Sequence, residues 1–398
     1  MQNTQRHRLY SIVIPLILLT TFFSINDFAQ PFKRMIDGIP VTIGGVVVSQ
    51  PFAGGVNSPN YQFVDIDDDD DLDLFIYDND LFVDFYRNTG SVTLAKFMLE
   101  PHQIELPKFQ TWFLFCDLNG DGKIDFLTDD FGSGVRYSIN EGTSQNPIFV
   151  IHDSTMMDTA GFSIFAGFSS IPALVDIDAD GDVDFFSNNF ANGTVNFYRN
   201  VGSTTSPKFA FVTDFYEGIS IIGDSCLSLT TRAMQRNHGA GAFRFADIDG
   251  DGTQDFFWGD LFSLGIFFLK NVGTPTLPDL ECITSRYPPE SPVVTGGFNM
   301  SSFQDIDGDT DLDLFVGLLG GIVQSNGFWF LENTGDSLNS NFVLRTKNYL
   351  PMIDVGMNAH PTLVDLDADL DLDMIIGNLN GELWFFQNIG TSKSPSFV

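Results

Sequence analysis

The chain has 398 residues, of which 43% are hydrophobic and only 18% charged, so a large core is available and wholesale disorder is excluded. Lys and Arg number 19 against 52 Asp and Glu, a formal charge of −33 that would repel phosphate backbones and excludes nucleic-acid binding. Forty-two Phe and 37 Gly suit many short strands separated by tight turns.

At the N-terminus Arg6, His7 and Arg8 precede an almost wholly apolar run from Leu9 to Phe23. That run is shorter than the roughly 20 residues a spanning helix needs, which predicts a secretory signal peptide over residues 1–29. Asp27 suits a cleavage site poorly, and an uncleaved anchor is the alternative, since the apolar run lies at the upper end of the usual length for a signal peptide. The mature chain is expected to be secreted, periplasmic or surface-held on a bacterial cell, with no membrane span. Cys116 lies in an apolar run and reads as a buried thiol. Export permits one bridge, for which Cys226 and Cys282 are the better pair.

Self-comparison over residues 30–398 finds one acidic segment six times: DIDDDDDLD at 65–73, DLNGDGKID at 117–125, DIDADGDVD at 176–184, DIDGDGTQD at 247–255, DIDGDTDLD at 305–313 and DLDADLDLD at 365–373. Each is followed 23 to 28 residues later by Asn-x-Gly, beginning at Asn88, Asn140, Asn200, Asn271, Asn333 and Asn388. Two landmarks in register across six copies define a repeat of about 60 residues. A short apolar strand precedes each segment and a second follows it. A third carries aromatics (Val83-Asp-Phe-Tyr, Phe328-Trp-Phe-Leu), and a fourth opens on Phe after Asn-x-Gly. Four short strands per unit predict an all-β fold, a β-propeller of six or seven four-stranded blades, with the aromatic stripes as core between blades.

Asp recurs at positions 1, 3, 5 and 9 of every segment except for Asn119. Alternating carboxylates in a tight loop suit a hard divalent cation, and Ca²⁺ tolerates the irregular geometry better than Mg²⁺. The candidate ligands, with position 7 offering its backbone carbonyl, are Asp65, Asp67, Asp69, Asp71 and Asp73 in the first loop. They are Asp117, Asn119, Asp121, Lys123 and Asp125 in the second, and Asp176, Asp178, Asp180, Asp182 and Asp184 in the third. The fourth loop offers Asp247, Asp249, Asp251, Thr253 and Asp255; the fifth offers Asp305, Asp307, Asp309, Asp311 and Asp313. The sixth offers Asp365, Asp367, Asp369, Asp371 and Asp373. EF-hands are excluded, because position 12 is never Glu and the flanks read as strands. At position 6, Asp70, Thr310 and Leu370 replace Gly, and a left-handed backbone is costly there, so empty acidic turns stay open for those copies.

Units such as ALVDIDADGDVDFF and TLVDLDADLDLDMIIG resemble FG-GAP/VCBS repeats, over about residues 60–398. The resemblance implies the β-propeller of integrin α-subunit heads, with Ca²⁺ held by loop positions 1, 3, 5 and 9, and more often seven blades than six. No clean Phe-Gly…Gly-Ala-Pro signature is present. Six loops leave closure open: either the run from Pro40 to Val48 supplies an outer strand for the last blade, or the sequence is a fragment.

No catalytic motif is present. The interval between the third and fourth loops is the longest, and Arg232, Arg236 and His238 within it form a cationic island that reads as a solvated insertion or as a binding loop for an anionic or glycan ligand. The expectation is a non-enzymatic adhesion or recognition module for an extracellular protein or glycan, with calcium structural. The alternative, by fold analogy alone, is a polysaccharide lyase-like enzyme.

Overall fold

The computed structural model describes residues 35–78, 82–100, 104–153, 155–167, 170–189, 192–222, 225–228, 240–320 and 325–398. The expected signal peptide and the island of Arg232, Arg236 and His238 lie outside them. Residues Ile36–Val398 form one compact unit.

Strands β1 (Val41–Ile43) and β2 (Val46–Val48) make a hairpin. Sheet 1 comprises β3 (Asn60–Val64), β4 (Asp73–Tyr77), β5 (Val83–Asn88) and β6 (Phe97–Leu99). Sheet 2 comprises β7 (Phe113–Cys116), β8 (Asp125–Asp129), β9 (Val135–Asn140) and β10 (Phe149–Asp153). Sheet 3 has β11 (Ala173–Val175), β12 (Asp184–Asn189), β13 (Thr194–Asn200) and β14 (Phe209–Thr213), extended by β15 (Ile219–Ile222) and β16 (Ser225–Ser228). Sheet 4 is β17 (Gly241–Ala246), β18 (Asp255–Asp260), β19 (Phe267–Asn271) and β20 (Leu280–Thr284). Sheet 5 is β21 (Asn299–Gln304), β22 (Asp313–Leu318), β23 (Phe328–Asn333) and β24 (Phe342–Thr346). Sheet 6 is β25 (His360–Val364), β26 (Asp373–Gly377) and β27 (Leu383–Phe386). All pairing within sheets is antiparallel. The fold is all-β; a single 3-10 turn, Tyr216–Gly218, is the one helical element among the described residues.

Two strands of each unit lie between the two landmarks, one precedes the acidic loop and one follows Asn-x-Gly, and the sheets stack through a repeated contact. The residue ten after the first loop Asp meets the residue two before the next loop. Phe75 meets Phe115 with ring centroids 4.5 Å apart, Phe186 meets Phe245 at 4.8 Å, and Phe257 meets Phe303 at 4.3 Å. Between sheets 2 and 3 the pair is Leu127 and Leu174, both in one apolar cluster. Aromatic pairs in such tilted, offset geometry add about 0.5–1.5 kcal/mol beyond burial.

The fifth junction departs from expectation. Phe315 of sheet 5 meets Phe63 of sheet 1 at 4.6 Å, and the Tyr61 hydroxyl donates to the Met300 carbonyl at 3.1 Å. Sheet 5 therefore takes up sheet 1, while each of the six repeats contributes one antiparallel sheet. The physical reason is that sheet 5 presents a complete set of partners to sheet 1. Tyr349 bears on Phe315 and Phe97, as Tyr287 bears on Phe257 and Phe342 one junction earlier.

Sheet 6 is closed differently. Its apolar side, Met374, Ile376 and Phe386, is covered by Val41, Ile353, Val355 and Phe397. Phe397 bridges to Asn388 and, in parallel, to Val41, with Thr42 N–H donating to Phe397 O at 2.9 Å. The run from Pro40 to Val48 thus lies beside an outer strand position that Phe397 already fills, rather than supplying that position itself. Cys116 is a free thiol, pushed up by burial, and Cys282 is disulfide-bonded. The side chain of Cys226 lies outside the described residues.

Candidate metal centre

Each acidic loop joins the first two strands of a sheet, and its first Asp shapes it. Asp65 accepts backbone N–H groups from Asp68 at 2.7 Å and Asp70 at 3.1 Å; Asp176 and Asp247 accept those of Gly181 and Gly252 at 3.0 and 2.9 Å. Position 6 is left-handed in every copy: φ is 81°, 95° and 83° for Gly122, Gly181 and Gly252, and 72°, 78° and 75° for Asp70, Thr310 and Leu370. The copies without Gly keep the same turn, because the position 1 carboxylate holds the backbone N–H there: Thr310 N donates to Asp305 at 3.1 Å and Leu370 N to Asp365 at 3.2 Å.

In five loops the carboxylates of positions 1, 3 and 5 converge, with one oxygen from each within 4.8 Å of the others. These are Asp65, Asp67 and Asp69; Asp176, Asp178 and Asp180; Asp247, Asp249 and Asp251; Asp305, Asp307 and Asp309; and Asp365, Asp367 and Asp369. The second loop does not make this triad. Asn119 stands at position 3 and accepts from Asp121 N at 2.9 Å, while Asp117 accepts from Gly122 N. At position 7 the Lys123 ammonium lies 3.2 Å from Asp121 and donates to Asn140 O at 2.6 Å. A built-in cation replaces part of the acidic set.

Position 9 is buried in all six copies, and the second landmark explains how. Asp73, Asp125, Asp184, Asp255, Asp313 and Asp373 each accept the backbone N–H of the landmark Asn at 2.7–2.8 Å. The Asn side chain then organises the next turn: Asn88 Oδ1 accepts Gly90 N at 3.0 Å and Lys96 N at 2.8 Å. Gly is required because a Cβ on Gly90 would sit 2.1 Å from Leu94 O. Sequence reasoning used Asn-x-Gly only as a register mark; its recurrence 15 or 16 residues after position 9 in five of the six copies was the available signal that the two are bonded.

The fit to a cation rests on oxygens that no donor reaches. In the first loop Asp67 Oδ1, Asp71 Oδ1 and Asp73 Oδ2 are buried without a hydrogen-bond donor among the described residues, and Asp184 Oδ2 and Asp313 Oδ2 repeat the pattern. Burial pushes Asp73, Asp184, Asp255 and Asp313 up to about 7 and Asp125 up to about 6. Burial, and then neighbouring Asp309 and Asp307, pushes Asp311 to about 6. A buried carboxylate without donors needs a proton or a cation, and an all-oxygen donor set suits a hard cation. Position 7, expected to offer its carbonyl, buries its side chain as well in Asp71, Thr253, Asp311 and Asp371. Asp182 stands at that position in the third loop, where burial pushes it to about 6. Position 3 already has partial counter-charges: Arg87 pairs with Asp67, Lys270 with Asp249, and Arg199 with Asp178 at 3.1 Å.

No family model and no curated protein matches this chain. Solved structures do. A protein from Lactobacillus plantarum is 10% identical with a TM-score of 0.29, over 83% of this chain and 82% of its own. A rhamnogalacturonan lyase is 12% identical with a TM-score of 0.27, over 92% of this chain and 76% of its own. At these scores neither likeness carries an argument.

The loops lie at the seams between sheets. Gln145 of the second unit donates to Asp67 O at 2.9 Å, and a Cβ on Gly120 would meet Thr204 of the third unit at 2.9 Å. Gly250 faces Leu338 in the same way, and Gly308 of the fifth unit faces Thr93 of the first. Sequence reading missed one further feature: a cavity of about 580 Å³ at the junction of sheets 1 and 2, lined by Tyr77, Phe82, Phe109 and Phe131 with Lys108 and Glu105. Phe82 and Phe131 are exposed, and the Arg136 guanidinium lies over the Phe131 ring. Among the described residues no helix is long and apolar enough to cross a membrane.

Proposed function

We propose that this chain is a calcium-braced β-propeller of the FG-GAP/VCBS type, with five units closed on one another and a sixth appended. Its role in this reading is non-enzymatic recognition of a protein or glycan outside the cell. The observation that carries the reading is the set of buried, donorless carboxylate oxygens of Asp67, Asp71 and Asp73. Ca²⁺ fits better than Mg²⁺ because six or more irregular oxygen ligands are on offer and Mg²⁺ keeps its waters. Calcium here is structural. At millimolar Ca²⁺ and a Kd of about 0.1–1 mM, each site contributes roughly 0.4–1.4 kcal/mol.

The ligand surface is assigned to the aromatic cavity between sheets 1 and 2, where exposed Phe82 and Phe131 offer ring faces of the kind that sugar rings and apolar side chains stack on. The lyase alternative would be built on Arg232, Arg236 and His238, which lie outside the described residues, and no observation favours it. Thermal unfolding of residues 30–398 in Ca²⁺, in Mg²⁺ and in EGTA tests the metal reading. A rise in Tm of about 10 °C or more specific to Ca²⁺ is expected. Indifference to chelator would remove it.

A further inference from the structure

Asn is followed directly by Gly at four places, beginning at Asn119, Asn192, Asn326 and Asn380. The pair is chemically labile, because a Gly nitrogen without a side chain beside it can attack the Asn side-chain carbonyl carbon and close a five-membered ring. The attack needs a Gly N–H that is open to water and not held in a hydrogen bond. Gly193 N donates to Asn189 O at 2.9 Å and Gly381 N to Asn378 O at 3.2 Å, so both are held. Gly327 is buried, so close to its neighbour that a Cβ would sit 2.6 Å from Asn57 O. Gly120 alone of the four is both exposed and, among the described residues, without a hydrogen bond from its N–H.

The second loop supports the reaction in two further ways. In the first and fifth loops the position 4 N–H, of Asp68 and of Gly308, donates to the position 1 carboxylate at 2.7 Å. Asp117 instead accepts from Asp121 N at 3.2 Å and Gly122 N at 2.9 Å, which leaves Gly120 N unheld. Asn119 Oδ1 also accepts the Asp121 N–H, at 2.9 Å. That bond folds the carboxamide back over the chain and places a donor on the oxygen where charge develops as the carbonyl carbon is attacked. Packing keeps the labile pair in place: φ at Gly120 is 66°, and a Cβ there would meet Thr204 O at 2.9 Å.

We propose that Asn119 is a site of spontaneous deamidation in the folded protein. Gly120 N gives up its proton and bonds to Asn119 Cγ; the Cγ–Nδ2 bond breaks, and Nδ2 takes a proton and leaves as ammonia, giving a succinimide. Water then adds to one ring carbonyl carbon and breaks its bond to Gly120 N. Addition at Cγ restores the chain with a side-chain carboxylate. Addition at the Asn119 backbone carbonyl carbon leaves the chain running through Cγ, with the carboxylate on Cα. One water is consumed and one ammonia released, with no change of oxidation state. Either product puts a negative charge at the position where the other five copies carry Asp, and where Arg87, Arg199 and Lys270 pair with it in three of them. Lys123 already stands in the second loop to receive that charge. The identity of any bound cation does not enter the argument.

Incubation of the folded chain, residues 30–398, in mildly alkaline buffer, with peptide mass mapping over time, tests it. Asn119 should convert to the acid at least about fivefold faster than Asn192 and Asn380, the factor that one hydrogen bond on the attacking nitrogen supplies. In urea the three should convert at comparable rates, since the fold then holds none of them. A folded chain in which Asn119 converts no faster than Asn192 and Asn380 overturns the proposal. A preference for Asn119 that persists undiminished in urea overturns it too, because the cause then lies in the neighbouring sequence and not in the loop.

Discussion

Phe315 and Phe63 lie 252 residues apart in sequence and meet with ring centroids 4.6 Å apart and planes inclined by 50°. The pair repeats the geometry of Phe75 on Phe115, at 4.5 Å and 46°. A junction made between distant units thus has the same form as one made between neighbours.

That equivalence predicts the cost of cutting it. Phe63→Ala or Phe315→Ala removes a buried ring from a junction that has no second copy, and should destabilise the protein by about 3–5 kcal/mol. Ile375→Ala, at the corresponding position of sheet 6, should cost only about 1 kcal/mol, since Ile375 is half-buried where Phe63 and Phe315 are buried. Urea unfolding of the three variants in saturating Ca²⁺ measures both numbers; equal costs would contradict the five-unit succession.

Asp313 should show a change of sign. Its Oδ1 accepts Asn333 N at 2.7 Å and its Oδ2 has no donor. Asp313→Asn removes a buried charge, so in EGTA the variant should melt at or above the wild type. In Ca²⁺ it should melt below, having lost a ligand. Differential scanning calorimetry in the two buffers decides; a variant less stable than the wild type in both would assign Asp313 to the fold alone.

Without metal, the pH dependence follows from the same burial. Asp73, Asp184, Asp255 and Asp313 are pushed up to about 7, against about 3.9 in the unfolded chain. Between those values the folded protein holds more protons than the unfolded one, so its stability falls as pH rises. In EGTA, Tm should be higher at about pH 5.5 than at about pH 8. Saturating Ca²⁺ takes the proton's place and should flatten or reverse that slope. A metal-free Tm that climbs with pH would contradict the assignment.

Stoichiometry separates the second loop from the rest. Lys123 lies against Asp121 and Asn119 replaces a carboxylate, so five equivalents of Ca²⁺ should bind rather than six. Equilibrium dialysis with elemental analysis counts them, and Lys123→Ala with Asn119→Asp should add the sixth.

The strands, the loops and the convergence of their Asp side chains were legible because each has a local signature: alternation, spacing and residue type. The aromatic stripes of the third strands were readable as core between sheets, whereas Phe63, Phe75 and Phe315 lie on first and second strands and carried no such mark. Which sheet meets which was not, since every unit carries nearly the same pair of contact positions, and Phe315 is as suitable for Leu363 as for Phe63 from composition alone. The choice is made by additional residues such as Tyr349, which the repeat does not mark. Likewise Lys123 was read only for its backbone carbonyl, because spacing locates a position in the loop without saying where a long side chain turns. The cost of the left-handed turn at Thr310 and Leu370 was overweighted. The backbone N–H groups of Thr310 and Leu370 donate to Asp305 and Asp365, which offsets a strain of about 1–2 kcal/mol.

The junction between Phe63 and Phe315 also sets an order of events during synthesis. At about 5–20 residues per second, the first sheet emerges roughly 13–50 s before the residues that will cover Tyr61 and Phe63 exist. Through that interval a nascent chain shows an aromatic surface to the cell, and the second, third and fourth sheets can dock in sequence while the first waits. The rate of maturation is thus governed by arrival of the fifth unit, and a ribosome paused between residues 64 and 315 would hold a sticky, half-assembled body.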